Sequence, residues 1–578
     1  MKKIYLLLTV VALSFSACSD SYMEELNTDD SKVSQLDPNA QLTTCLLQTY
    51  GDISLMDTYR NYITGFTQHL AGGWNVTYYA GSVHFENDIS RRIWDRYYVL
   101  SIKNLVDAIH NSEDKPNLNA ALRIHRVFLT GVLADIYGDV PCSDAGLGYI
   151  ENKSTPKYDT VEKLYYWFFD ELEACVQQLG TGTDRITGDV TSMGGDVNKW
   201  KKYANSLRMR YAMRISDVNE EKAKTEFVKA MNSGYIDSAD DDAFVVYQDS
   251  PYTFYNGADD YDFRTNALSE ILYGQDPSSP TLVCSTLFYQ LKNTNDPRLY
   301  RICRHYYNIK RNQTKPDKEQ NIDLTDELLA NFSVSGGEEP CNPGAAWWHN
   351  WMNVLSTDKF PTLQKWAEQD PNNYDNSDYR ARMMRPMLNI DFEMPTNPGI
   401  LMTAAEVQFL LAEAKSMEWF ADGDVKSYYE AGVRASMELL NNRYLTSNKI
   451  SSEEIDAFLQ NNPLGANPKE TINTQAWILH LTNPSEAWAN MRRSDYPAVL
   501  DRTRLEAFTD GFVPSDDLTM PTRLNYPELE SQYNSVNYAA AIERLGGKDD
   551  WHKHLWWDKD DLKVQDTFTP PYGKGYIK

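Results

Sequence analysis

The chain has 578 residues, with 82 Asp and Glu against 56 Lys and Arg and a formal net charge of −26. A surface this acidic repels the phosphates of nucleic acids and of anionic lipids, so it excludes nucleic acid as a partner class and leaves membrane contact to acyl chains. The length is ample for a sizeable core, and Phe, Trp and Tyr make up 12% of it, with 37 Tyr and 14 Trp.

Lys2 and Lys3 precede an apolar run from Ile4 to Phe15, followed by Ser16-Ala17-Cys18. A charged start, a short apolar run and small residues make a secretory leader and not a membrane span. Ser16-Ala17-Cys18 resembles a bacterial lipobox, in which cleavage before the cysteine leaves its thiol to carry a diacylglycerol. Phe15 departs from the leucine usual at that position. The expectation is a leader over residues 1–17, lipidated Cys18, and an acidic flexible tether over 18–40. The remaining cysteines, Cys45, Cys142, Cys175, Cys284, Cys303 and Cys341, show no CxxC spacing. They indicate neither a zinc site nor a dense disulfide framework, and leave room for one or two disulfides.

From residue 41 onward helical periods dominate. Thr43 to Met56 and Ile89 to Ile109 read as helices, separated by a loop, His69 to Gly81, in which Gly72 and Gly73 break the helix and Trp74, Asn75, Tyr78 and Tyr79 come next. Ile124, Val127, Phe128 and Val132 share a face of a helix that stops at Gly138. The next helix is expected to start at Asp159 with a capping box to Glu162. A third carries Trp200, Tyr203, Leu207 and Tyr211, with Arg208, Arg210 and Arg214 on its other faces. Residues 237–398 turn loop-rich and aromatic, with Trp347, Trp348 and Trp351. Helical order returns at Thr403, where Glu406 completes a second capping box, and a partner helix lies near Ser427 to Asn441. Gln475 to Pro497 reads as one further helix. The fold class is mostly α: tetratricopeptide-like helix pairs over about 41–235 and 400–445, a loop-rich aromatic insertion over about 237–398, and C-terminal helices and loops over 446–578. Scaffold on both sides of the insertion argues for one domain over 41–578.

Catalytic signatures are absent: no GxSxG, HExxH, P-loop or GxGxxG occurs. His552 and His554 lie close together without further ligands, and read as surface histidines. Asp259, Asp260 and Asp262 are weak candidates for structural calcium, because the glycine and spacing of an EF-hand loop are missing. Exposed flat rings beside amides suit sugars, since a ring packs on the pyranose face while amides and carboxylates take the hydroxyls. Trp74, Asn75, Tyr78 and Tyr79 meet that description, as do Trp347, Trp348 and Trp351.

Several segments together resemble the SusD/RagB-type outer-membrane lipoproteins of Bacteroidetes. They are Ala134–Pro141 (ADIYGDVP), Gly195–Ile215 (GDVNKWKKYANSLRMRYAMRI), Met402–Lys415 (MTAAEVQFLLAEAK), Glu486–Arg493 (EAWANMRR), Met520–Pro527 (MPTRLNYP) and Trp556–Lys559 (WWDK). The resemblance covers nearly the whole chain after Cys18. It implies a SusD-like scaffold of four tetratricopeptide-like helix pairs and no catalytic activity. It also implies an outer-membrane location facing the outside, as a lid on a SusC-type TonB-dependent transporter, and nutrient binding, most often of oligosaccharides. A peptide ligand for the same lid, or a secreted glycoside hydrolase, remains the alternative. The shared segments are scaffold, so the resemblance carries no ligand residue onto this chain.

Overall fold

A computed structural model describes residues 36–71, 76–249, 263–272, 281–304, 306–308, 321–323, 386–501 and 517–565. Cys18, with the leader and most of the tether, lies outside the described residues. So do Cys341 and much of the aromatic insertion.

Local rules set most helix ends. Helix α1 (Pro38–Gly51) has proline in its first turn, where a missing N–H costs nothing, and Asp37 accepts the N–H of Asn39. Helix α2 (Pro116–Tyr137) also opens on proline and ends where Gly138 takes φ +94. Two short strands, β1 (Val140–Pro141) and β2 (Tyr158–Asp159), then pair antiparallel. Helix α3 (Val161–Gln178) is capped by Thr160, whose hydroxyl accepts the N–H of Lys163. Asp159 is therefore not the cap expected of it: it belongs to β2, and its carboxylate accepts the N–H groups of Cys142 and Ser143. Helix α4 (Val197–Arg214) is capped by Asp196, and α5 (Glu220–Asn232) by Asn219.

Strand β3 (Ala243–Val245) pairs antiparallel with β4 (Gly399–Met402), which feeds α6 (Ala404–Ser416). Thr403 caps α6 through the N–H of Glu406, but the Glu406 side chain does not return to close a box. It is taken by Arg210. Helices α7 (Val425–Arg443), α8 (Ser452–Asn461) and α9 (Pro468–Leu479) come next, α8 with a complete capping box between Ser451 and Glu454. The single helix expected over 475–497 is broken. A 3-10 turn (His480–Thr482) intervenes, and Pro484, lacking an N–H, starts a new helix, α10 (Pro484–Ser494). Residues 87–110 likewise form short helices interrupted by a π-helical stretch, Tyr97–Ile102.

Consecutive helices pack in pairs, α2 on α3, α4 on α5 and α6 on α7, and the pairs are joined through α3–α4, α4–α6 and α6–α9. Small residues let them approach. A Cβ on Gly432 would sit 2.6 Å from the Phe409 ring, and one on Gly131 would overlap the Tyr211 hydroxyl. One apolar core collects residues from before and after the insertion, including Leu46, Phe128, Trp200, Leu411, Trp488 and Trp557. Cys45, Cys142, Cys175, Cys284 and Cys303 are buried free thiols.

Arg208, Arg210 and Arg214 lie off the apolar stripe of α4, yet all three are buried, because each meets carboxylates from neighbouring helices. Arg210 binds Glu406 through two bonds of 2.6 and 2.7 Å and also donates to the Leu401 carbonyl at 2.7 Å. Arg214 reaches both oxygens of Glu486, and Arg208 joins Glu226 and Glu173. Arg493 and Glu413 form a further buried pair with two bonds of 2.7 Å. Such pairs add little net stability but are costly to break singly.

Candidate functional site: an aromatic platform

The segment before residue 82 does not form the simple loop expected. Thr77–Gly81 is a π-helical turn packed on a second one, Tyr59–Ile63, and wide turns of this kind recur at functional sites. The turn carries Tyr78 and Tyr79, both half-buried. The Tyr78 ring stacks on His84 at 4.6 Å and 16°, and meets Tyr79 edge-on at 5.1 Å. Tyr79 in turn tilts against Tyr62 at 5.8 Å.

Tyr62 organises the segment beyond the turn. Its hydroxyl donates to the His84 carbonyl at 2.9 Å and accepts the N–H of Glu86 at 2.7 Å, so residues 84–86 are pinned from below. Burial pushes the Tyr62 hydroxyl well above the ordinary phenol range, and it stays a neutral donor and acceptor. Val83 sits at φ +55, a left-handed conformation that a β-branched residue adopts only at a cost of about 1–3 kcal/mol. Beyond this left-handed residue, His84 is half-buried and Phe85 is exposed. Phe85 is 37% exposed, high for a phenylalanine.

The remaining ring comes from the C-terminal part of the chain. Trp551 stands edge-on to Phe85 at 5.7 Å, to Tyr62 at 6.2 Å and to Phe66 at 6.3 Å. Its carbonyl accepts the N–H groups of Thr522 and Arg523 at 2.8 and 3.1 Å, fixing it to the segment 519–523. Tyr78, Tyr79, His84, Phe85 and Trp551 thus form an aromatic platform, each member at least partly exposed, bordered by Glu86 and His552. Beside it, Thr519, Met520, Pro521 and Thr522 line a cavity of about 240 Å³, whose other walls include Leu500 and Asp501.

Of the residues expected from sequence to touch a ligand, Tyr78 and Tyr79 are on this platform. Trp74, Asn75, Trp347, Trp348 and Trp351 lie outside the described residues, as do the calcium candidates Asp259, Asp260 and Asp262. His84, Phe85 and Trp551 are not expected there from sequence. Only the aromatic richness of the C-terminal segment hints at Trp551, and nothing in the sequence pairs it with residue 85.

Among the described residues one group, Glu406, His480 and Glu486, brings three possible metal-ligand atoms within 4.8 Å of one another. Its carboxylates are already taken by Arg210 and Arg214, and a cation there would face two guanidinium groups. Burial alone would raise the Glu486 carboxyl, but Arg214 and Arg210 together hold it below its usual range. Burial lowers His480. The group is an ion-pair knot that joins α4, α6 and α10. His552 and His554 stand apart from it: His552 faces Asp550 and Asp517, and His554 faces Asp558 and Asp561. The platform itself offers stacking faces.

Known proteins share this architecture. A SusD-like family model described as "Starch-binding associating with outer membrane" matches residues 30–336, and one described as "Susd and RagB outer membrane lipoprotein" matches residues 368–558. Among solved structures, a SusD-like protein of Bacteroidetes AC2a is 38% identical, with a TM-score of 0.81 over 91% of this chain and 100% of that one. A chitin-binding protein is 30% identical, with a TM-score of 0.71 over 91% and 100%. A chitin-binding SusD homologue from Flavobacterium johnsoniae, 21% identical with a TM-score of 0.64, shares the fold over 90% and 99%. No curated protein sequence matches. Among the described residues no helix is long and apolar enough to cross a membrane. Members of the matched family are outer-membrane lipoproteins that bind nutrients rather than transform them. The chain belongs to the SusD/RagB family of nutrient-binding outer-membrane lipoproteins.

Proposed function

We propose that this protein captures oligosaccharides on the platform of Tyr78, Tyr79, His84, Phe85 and Trp551 and delivers them to a SusC-type TonB-dependent transporter. The carrying observation is the set of rings pinned by Tyr62 and exposed beyond Val83, on a scaffold of the SusD/RagB family. Trp74 and Asn75 shortly precede the π turn in sequence and are proposed to extend the platform. Trp347, Trp348 and Trp351 are proposed to contribute from the insertion. Lipidated Cys18 anchors the protein, and the acidic tether lets one domain, residues 41–578, act as a lid on the outer face. A chitin-type glycan is the first ligand to try, because the 30% identical relative is a chitin-binding protein.

Ring stacking and hydroxyl hydrogen bonds need no covalent step, and several weak contacts along one polymer compound through avidity. The test is incubation with a panel of polysaccharides, chitin oligosaccharides included, following both retention in affinity electrophoresis and the release of new reducing ends. Retention without new ends is expected. New reducing ends would overturn the binding reading in favour of a hydrolase.

A further inference from the structure

A second cavity, of about 280 Å³, lies between α2, the start of the β1–β2 connection, the end of β2 and the first turns of α3. Its walls are Arg126, Cys142, Ser143, Asp159, Leu164 and Trp167, with Lys163 at the rim. Arg126 stands outside the ion-pair network of its neighbours, as does Arg492, which among the described residues donates only to the carbonyls of Trp488, Thr522 and Asp135. Arg208, Arg210, Arg214, Arg298 and Arg493 each hold a carboxylate, and Arg123, one turn away on α2, is bidentate to Glu171. Among the described residues no carboxylate lies within 4.0 Å of Arg126. Its Nη2 donates to the Cys142 carbonyl at 2.7 Å, its buried Nε has no partner, and its Nη1 donates to no described group. The guanidinium rests over the Trp167 ring, 5.4 Å from the centroid.

The charges around it leave one negative charge wanting. Asp159 is the carboxylate of the cavity, and it is already held by the N–H groups of Cys142 and Ser143 and by Lys163 at 3.5 Å. The Cys142 thiol, pushed up to about 11 by burial, is neutral and supplies no anion. Two cations therefore face one satisfied carboxylate, in a protein whose net charge is −26. A buried or half-buried guanidinium without a counter-ion has donors to spare, and its planar fork matches a carboxylate.

We infer that this cavity is a second ligand site, taking a single carboxylate-bearing sugar residue such as a uronic acid. The carboxylate meets the free end of Arg126 and the Lys163 ammonium. The pyranose ring packs against Trp167 and Leu164, and the Ser143 hydroxyl takes a ring hydroxyl. The volume is just below that of drug-sized pockets, about 300–1,000 Å³, and suits one sugar ring rather than a chain. A polyanion would be repelled by the acidic surface beyond the rim, whereas one carboxylate within the screening length of about 8 Å answers mainly to the local cations. That the carboxylate is carried on a sugar rests on the glycan-binding reading; the anion pocket itself does not.

The test is titration of the full protein with D-glucuronate and D-galacturonate, read by calorimetry and tryptophan fluorescence, with galactose and inorganic sulfate as controls. Uronate binding at least tenfold tighter than either control is expected, and it should fall at least tenfold in Lys163→Glu and in Trp167→Ala. Lys163 is exposed, so Lys163→Glu separates loss of binding from loss of fold, and its melting temperature is expected to match wild type. No uronate binding, sulfate bound as tightly as uronate, or undiminished binding in both variants would each overturn the proposal. Titration of Phe85→Ala distinguishes the two sites: uronate binding lost there would place the anion on the platform and not beside Arg126. Failure of neutral glycans to bind wild type, with uronate still bound, would sink the platform reading alone.

Discussion

Asp242 shows how one side chain can tie distant segments together at a measurable cost. Its carboxylate accepts the N–H of Ala404 at the start of α6, at 2.7 Å, while 4% exposed. Burial raises its pKa to about 7, against the pull of the Ala404 N–H and Arg443, with Asp241 and Asp240 adding to the rise. The folded protein therefore holds this proton more tightly than the unfolded chain, and the stabilisation is complete below the unfolded value near 4. As pH rises from about 4 to about 7 the unfolded chain sheds its proton first, and stability falls by on the order of 2–4 kcal/mol. In Asp242→Asn the amide oxygen still accepts the N–H but nothing ionises. Urea unfolding at pH 5 and pH 8 is expected to show the variant gaining on wild type at pH 8; equal pH dependence in the two proteins would refute the assignment. At this scale the sequence is readable only in part. Tyr78 and Tyr79 stand out because aromatics cluster after a glycine pair, whereas Phe85 and Trp551 meet only through the tertiary fold. The left-handed turn at Val83 has no local signature, since valine is a poor residue for φ +55.

Between elements, close approach depends on single glycines. Gly131 on α2 faces Tyr211 on α4, where an added methyl would overlap the hydroxyl. Gly131→Ala is expected to cost about 1–3 kcal/mol by overpacking. Adding Tyr211→Phe should recover part of that loss, because the atom first struck is removed; a double variant no more stable than Gly131→Ala in thermal or chemical unfolding would place the strain elsewhere. Most helices are legible because capping residues and apolar stripes agree, as at Thr403 and along α3. Three details are not. Thr160 outcompetes Asp159 as a cap because Asp159 is engaged by two backbone N–H groups across β1 and β2. Pro484 splits the helix expected over 475–497. The π-helical stretches at Tyr59–Ile63, Thr77–Gly81 and Tyr97–Ile102 alter the turn without any proline or glycine to announce them in the first and third.

For the whole molecule, the buried arginines of α4 join segments far apart in the chain, through Glu406 on α6 and Glu486 on α10. Breaking one such pair leaves an uncompensated buried charge, so Arg210→Met is expected to cost about 3–5 kcal/mol in chemical unfolding. A loss under about 1 kcal/mol would mean that Glu406 finds another partner. The scaffold is legible in the sequence because its helical segments keep family order; the candidate platform is not, because it is assembled from the two ends of that scaffold. On the proposed function, the scaffold serves to present these rings to a glycan. The most direct measurement is calorimetric titration of a glycan panel, chitin oligosaccharides first, into wild type and a Tyr78→Ala/Phe85→Ala variant of unchanged melting temperature. Saturable binding by wild type of at least one glycan is expected, with a loss of tenfold or more in the variant, which is about 1.4 kcal/mol. No glycan bound by wild type, or equal affinity in the variant, would contradict the proposed function.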